Sequence, residues 1–151
     1  MHEWLARRAP TMRSILRIVT GLIFLAHGTQ KFFGFPAGDM AGSGWALANL
    51  GAVAGIVELI AGLLITIGWL TRPAAFLASG TMAFAYWYAH APQNFYPVNN
   101  MGDAAILYCF VFLYLVFAGA GPLSVDEAIA HRGPASSDPA PAPSPRDPDA
   151  P

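Results

Sequence analysis

Five ionisable side chains stand out because the chain around them is apolar: His27, Lys31, Glu58, His90 and Asp103. If these stretches span a membrane, a charged group near mid-helix costs roughly 2.5–3.5 kcal/mol, so each one is a candidate for function. A lysine, histidines and a carboxylate in one place can hydrogen-bond a polar head group and exchange a proton with it. These five residues are therefore the candidate polar cluster.

Glu58 is the most informative of the five residues because glycines surround it at helical spacing. Gly51, Gly55, Glu58 and Gly62 are four, three and four residues apart, which places them on one face of a helix. Small residues at this spacing let a second helix approach closely. We therefore expect Glu58 to face protein and not lipid.

His27 and Lys31 are four residues apart and share a helical face, from which the Lys31 ammonium group can reach Glu58 or His27. Each residue also has a structural interpretation. Lys31 can extend its ammonium group to the head groups, and Asp103 can balance a helix dipole. His90 can lie at the interface, His27 can pack between helices, and Lys31 with Glu58 can form an ion pair that only fixes packing.

Metal, haem and thiol chemistry have little support in the sequence. His27 and His90 are expected at different depths, which disfavours haem held by both, and no metal-ligand spacing is present, so no metal site is predicted. The single cysteine, Cys109, excludes an internal disulfide and a CxxC pair. A net charge of -1 offers no basic surface for nucleic acid.

The composition is that of a membrane protein. Hydrophobic residues make up 55% of the 151 residues and charged residues 11%, against roughly 25% charged in an ordinary soluble domain. A soluble bundle would need polar outer faces, which the last apolar run lacks. Four apolar runs, each close to the roughly 20 residues that cross a bilayer as a helix, lie at 14–33, 51–70, 73–90 and 101–120. We predict an all-α integral membrane four-helix bundle.

The arginines give the orientation, since basic residues favour the cytoplasmic side. They lie before or at the start of the first run, between the second and the third, and after the fourth, at positions 7, 8, 13, 17, 72, 132 and 146. Both termini are therefore expected in the cytoplasm, which leaves the polar cluster in the outer half. We divide the chain into a cytoplasmic N-terminal segment (1–13), a membrane domain (14–132) and a disordered Pro/Ala-rich tail (133–151).

Three motifs resemble the DoxX family of small four-span bacterial membrane proteins. They are R-x3-G-x6-HG-x2-K from Arg17 to Lys31, VELIAGLLITIGWLTRPAA around Glu58, and GAGPLSVDEA from Gly119. The resemblance implies a multi-pass protein of the bacterial cytoplasmic (inner) membrane, linked to redox or sulfur metabolism. Some relatives resemble the membrane subunit of a thiosulfate:quinone oxidoreductase. Others are associated with thiol and oxidative-stress defence alongside soluble enzymes.

On this basis we expect a subunit or accessory of a quinone-, thiol- or sulfur-linked redox system, more than an independent enzyme. In the leading hypothesis the polar cluster holds a quinone head group. His27 or Lys31 would hydrogen-bond a quinone carbonyl, and Glu58 would exchange its proton. The family often has a glutamate where this chain has Asp103, so a family role transfers poorly to that residue. The expected partners are the lipid bilayer, a soluble redox enzyme and further copies of the chain. The alternative is a non-catalytic membrane scaffold or a small-solute permeation protein.

Overall fold

The computed structural model describes residues 2–45 and 50–132, and within these ranges the chain is helical with no strand. The α-helices are α1 (His2–Phe33), α2 (Leu50–Ile67), α3 (Thr71–Ala85), α4 (Pro97–Asn100), α5 (Asp103–Ala118) and α6 (Val125–Ala130). A 3-10 turn, Ser43–Trp45, precedes α2, and a π-helical segment, Tyr86–His90, continues α3. The all-α prediction is confirmed. The predicted disordered tail, 133–151, lies outside the described residues.

Each predicted apolar run coincides with a helix, although the bounds differ. Two of the described helical stretches, Glu3–Phe33 and Leu50–Ile67, are long and apolar enough to cross a membrane. Helix α2 ends at Ile67, three residues before the end of the predicted second run. It ends there because Gly68 adopts a φ of 72°, a left-handed conformation that favours glycine and ends helices. Helix α3 ends at Ala85, and the π-helical segment that follows it covers the rest of the predicted third run, up to His90.

Close packing of α1 against α2 depends on glycine. A side chain on Gly28 would place its Cβ 2.7 Å from the backbone nitrogen of Leu59, and one on Gly62 would lie 2.8 Å from the Cα of Leu25. No side chain fits at such distances, so these glycines let the two helices touch. The predicted burial of Glu58 on this face is confirmed.

Arg17 joins several elements by hydrogen bonds at the end of the bundle opposite the polar cluster. It is fully buried, and its Nε donates to Ala120 O at 2.8 Å. Its Nη1 donates to Ile65 O at 2.5 Å and to Thr66 O at 2.6 Å, while Nη2 donates to Leu123 O. A guanidinium satisfies several carbonyls at once because its donors form a planar fork. Arg17 therefore ties α1 to α2 and to the segment that follows α5.

A contiguous apolar core fills the bundle between Arg17 and the polar cluster. Phe24, Ile65, Ala75, Phe112 and Leu115 belong to this cluster of buried side chains, and none is more than 1% exposed. These residues come from α1, α2, α3 and α5. All four long helices thus share one core, which ends just below the candidate site.

Candidate functional site

The centre of the site is an ion pair between Lys31 in the last turn of α1 and Glu58 within α2. Lys31 Nζ lies 2.7 Å from Glu58 Oε1, and the two side chains are 13% and 7% exposed. Gly55 makes room for the lysine, since a Cβ there would lie 3.1 Å from Lys31 Cδ. Of the two partners expected for Lys31, Glu58 or His27, the structure pairs it with Glu58.

The second oxygen of the Glu58 carboxylate is not used by this pair. Glu58 Oε2 is buried and has no hydrogen-bond partner among the described residues. A buried acceptor normally has a partner, because leaving it bare costs about 1–3 kcal/mol. Glu58 also lines the large cavity of the bundle. The carboxylate with the unpaired oxygen therefore belongs to the wall of this cavity.

The cavity has a volume of about 750 Å³ and lies between α2 and α3, with α1 and α5 completing its wall. Such a volume suits a small organic ligand, and a few polar groups on an apolar wall are the usual composition of a ligand site. Its lining is mainly apolar and includes Phe24, Val57, Phe76, Met82, Phe84 and Ala105. Four members of the candidate cluster line it as well, namely His27, Lys31, Glu58 and His90.

The structure holds the two histidines in different ways. The His27 ring is exposed and meets the Tyr108 ring edge to face, with 6.1 Å between centroids. His90 lies in the π-helical segment, where its Nδ1 is 2.9 Å from the carbonyl oxygen of buried Asn100. This contact fixes the His90 ring at the rim, whereas the His27 ring has no hydrogen bond with another described residue.

Asp103 stands apart from the other four candidates. It lies in the first turn of α5, is exposed, and does not line the cavity. In that place its charge is well positioned to interact with the N-terminal end of the helix dipole. Asp103 is therefore placed to stabilise the start of α5, whereas the other four residues line one cavity.

Tyr108 is a lining residue that the sequence analysis did not select. Its ring packs against Phe24 at 5.5 Å and against Phe112 at 5.7 Å, and it lines the cavity. The sequence held a signal for it: Tyr108 and Glu58 each lie seven residues after the start of an apolar run, at 101 and at 51.

The arrangement offers both donors and an acceptor to a bound molecule. Lys31 Nζ, the His27 ring and the Tyr108 hydroxyl can donate, and Glu58 Oε2 can accept or take up a proton. Within residues 2–45 and 50–132, no group of three or more His, Cys, Asp or Glu side chains could hold a metal ion. The site is suited to a neutral ligand that carries hydrogen-bonding oxygens.

Comparison with known proteins gives a consistent family. The DoxX family model matches residues 12–91. An uncharacterized protein of Haemophilus influenzae is 39% identical over 125 residues, which cover 81% of this chain and 93% of the relative. A protein of Escherichia coli K12 named inner membrane protein YphA is 32% identical over 132 residues, covering 78% of this chain and 89% of the relative. No solved structure matches the chain. The chain is therefore a membrane protein that belongs to the DoxX family.

Proposed function

We propose that this protein crosses the bacterial cytoplasmic membrane four times and binds a quinone head group beside Lys31 and Glu58, as an accessory subunit of a redox system. One observation carries the proposal: Glu58 lines a large, mainly apolar cavity, and its second carboxylate oxygen is buried without a partner among the described residues. The E. coli relative is named an inner membrane protein, which supports the same location for this chain.

The outer surface of the bundle supports four spans. All four long helices carry large apolar side chains that are about half exposed or more, namely Val19, Ile23, Ile60, Leu63, Phe76, Leu77, Leu107 and Phe110. Soluble proteins rarely expose so much contiguous apolar surface, whereas lipid covers it at no cost. The 32 residues of α1 exceed the thickness of the hydrocarbon core, so its arginine-rich start projects from the membrane. We place that end, and the C-terminus, in the cytoplasm.

The polar groups of the cavity match the chemistry of a quinone. A quinone takes up two electrons and two protons when it is reduced to a quinol, and the electrons would come from a partner oxidoreductase. Lys31 and His27 would donate hydrogen bonds to a carbonyl oxygen of the head group. Glu58 would accept a hydrogen bond, or exchange a proton, through its free oxygen.

A scaffold role is the second candidate, because the ion pair also joins two helices. Lys31 is on α1 and Glu58 is on α2, and the glycines already bring these helices into contact. In this case the pair would fix helix register without any ligand. Permeation through a single bundle has less support, since the buried core of Phe24, Ile65, Ala75, Phe112 and Leu115 closes the path below the cavity.

Binding of ubiquinone-1 to the purified full-length protein tests the proposal. We expect measurable binding by calorimetry in detergent, and a loss of at least tenfold in affinity for Glu58→Gln, which removes the proton-exchanging group. Asp103→Asn is the matched control, because it changes a carboxylate outside the cavity wall, and it should stay within twofold of wild type. Equal affinity for wild type and Glu58→Gln would contradict the proposal.

A further inference from the structure

The cavity wall has a gap on the exposed surface of α3. Phe76, Gly80 and Phe84 are four residues apart, so they form one stripe along that helix. All three line the cavity and are exposed, Phe76 by 68% and Phe84 by 54%. A Cβ on Gly80 would meet no atom of the described residues within 4 Å. Glycine between two phenylalanines therefore leaves a notch, one helical turn above Phe76 and one below Phe84.

The notch lies at the depth of the ion pair. Glu58 is nine residues before the end of α2 at Ile67, and Gly80 is nine residues after the start of α3 at Thr71. The two helices are consecutive and joined by a short turn, so each position is about 13 Å of helix rise from that turn. A molecule that passes Gly80 thus meets Glu58 without moving along the bundle axis.

The size of the cavity gives a second reason for an opening toward lipid. About 750 Å³ accommodates a head group, but it does not accommodate a long isoprenoid tail as well. A tailed ligand held at Glu58 must therefore extend its tail through the wall. The Phe76–Phe84 stripe offers an apolar surface on which the tail can lie, in contact with the bilayer.

We propose that the notch at Gly80 is a lateral entrance through which a neutral, lipid-dissolved quinone passes from the bilayer to the Lys31–Glu58 pair. This inference rests on the proposed function and adds to it the route by which the ligand enters. An aromatic, uncharged entrance selects against ions and strongly hydrated solutes, because they would lose water with nothing to replace it. The ligand would enter head first and leave its tail in the membrane.

The rate of ligand exchange tests the entrance separately from affinity. Full-length protein loaded with ubiquinone-2 is mixed with excess deuterated ubiquinone-2, and the isotope ratio of the bound fraction is followed by mass spectrometry. We expect Gly80→Phe to slow exchange at least tenfold relative to wild type, with each rate measured on the fraction of protein that holds ligand. Gly80→Leu is a second blocking variant with the same expectation. Gly80→Ala is the matched control and should exchange within twofold of wild type.

Two results would overturn the entrance. Either both blocking variants exchange at the wild-type rate, or they lower the amount bound without slowing exchange, which would show that Gly80 only borders the site. Failure of the proposed function has a different signature, since wild-type protein would then hold no ubiquinone-2 at all.

Discussion

At the scale of residues, Lys31 and Glu58 depend on each other. Both side chains are nearly buried and lie 2.7 Å apart, so removing one leaves the other charge without compensation. We expect Lys31→Met to lower the free energy of unfolding by about 3–5 kcal/mol. The double variant Lys31→Met/Glu58→Gln should lose less than Lys31→Met alone, because no unpaired carboxylate remains.

Unfolding in mixed detergent micelles of wild type, Lys31→Met, Glu58→Gln and the double variant completes a double-mutant cycle. Asp103→Asn, which alters an exposed residue in the first turn of α5, provides the control. If the effects of the two substitutions simply add, the pair contributes no coupling and our description of the site centre is wrong.

The site could be predicted in part from residue types and spacing. The glycines around Glu58 and the position of Lys31 were sufficient for their contact, since helical periodicity sets both. The structural place of Arg17 could not be predicted, because it donates to the carbonyls of Ala120 and Leu123, more than 100 residues away in sequence. Tyr108 was not predicted because its place in the cavity wall depends on which face of α5 is directed toward the cavity.

At the scale of elements, the contact between α1 and α2 tolerates no added carbon. A Cβ on Gly62 would lie 2.8 Å from both the backbone nitrogen and the Cα of Leu25, so Gly62→Ala must push the helices apart. We expect a loss of about 1–3 kcal/mol in unfolding free energy, typical of overpacking.

Gly80→Ala is the same substitution on α3, where the added Cβ would meet no described atom within 4 Å. It should leave stability unchanged or raise it slightly, because alanine favours a helix over glycine. Thermal melting of both variants in one detergent checks the comparison. Equal melting temperatures would show that the glycine contact between α1 and α2 does not determine stability.

Helix positions followed from the apolar runs, whereas helix ends depended on local backbone geometry. The α2 helix ends before Gly68, and α5 ends before Gly119, where φ is 76°. A positive φ favours glycine, but many other glycines in the chain lie inside helices. The sequence alone does not show which glycines end a helix and which continue it, because this depends on packing. The π-helical turn at Tyr86–His90 had no sequence signal that we could identify.

At the scale of the whole molecule, the proposed topology of four spans with cytoplasmic termini predicts which positions a reagent outside the cell can reach. In a chain without Cys109, we expect Gln93→Cys, in the turn after the π-helical segment, to react with a membrane-impermeant maleimide in intact cells. Ala128→Cys, on α6, should react only after the membrane is permeabilised. Labelling of both positions from the same side would contradict the four-span topology.

The central claim is that the cavity beside Glu58 holds a quinone, and mass spectrometry of co-purifying lipids tests it most directly. Lipophilic molecules would be extracted from gently purified wild-type protein and from Glu58→Gln, with melting temperatures recorded for both. We predict nearly one quinone per wild-type chain, and its loss from Glu58→Gln protein that is still folded but melts at a lower temperature, because Lys31 is left unpaired. Wild-type protein that carries no quinone would contradict the claim and leave the scaffold role as the better explanation of the Lys31–Glu58 pair.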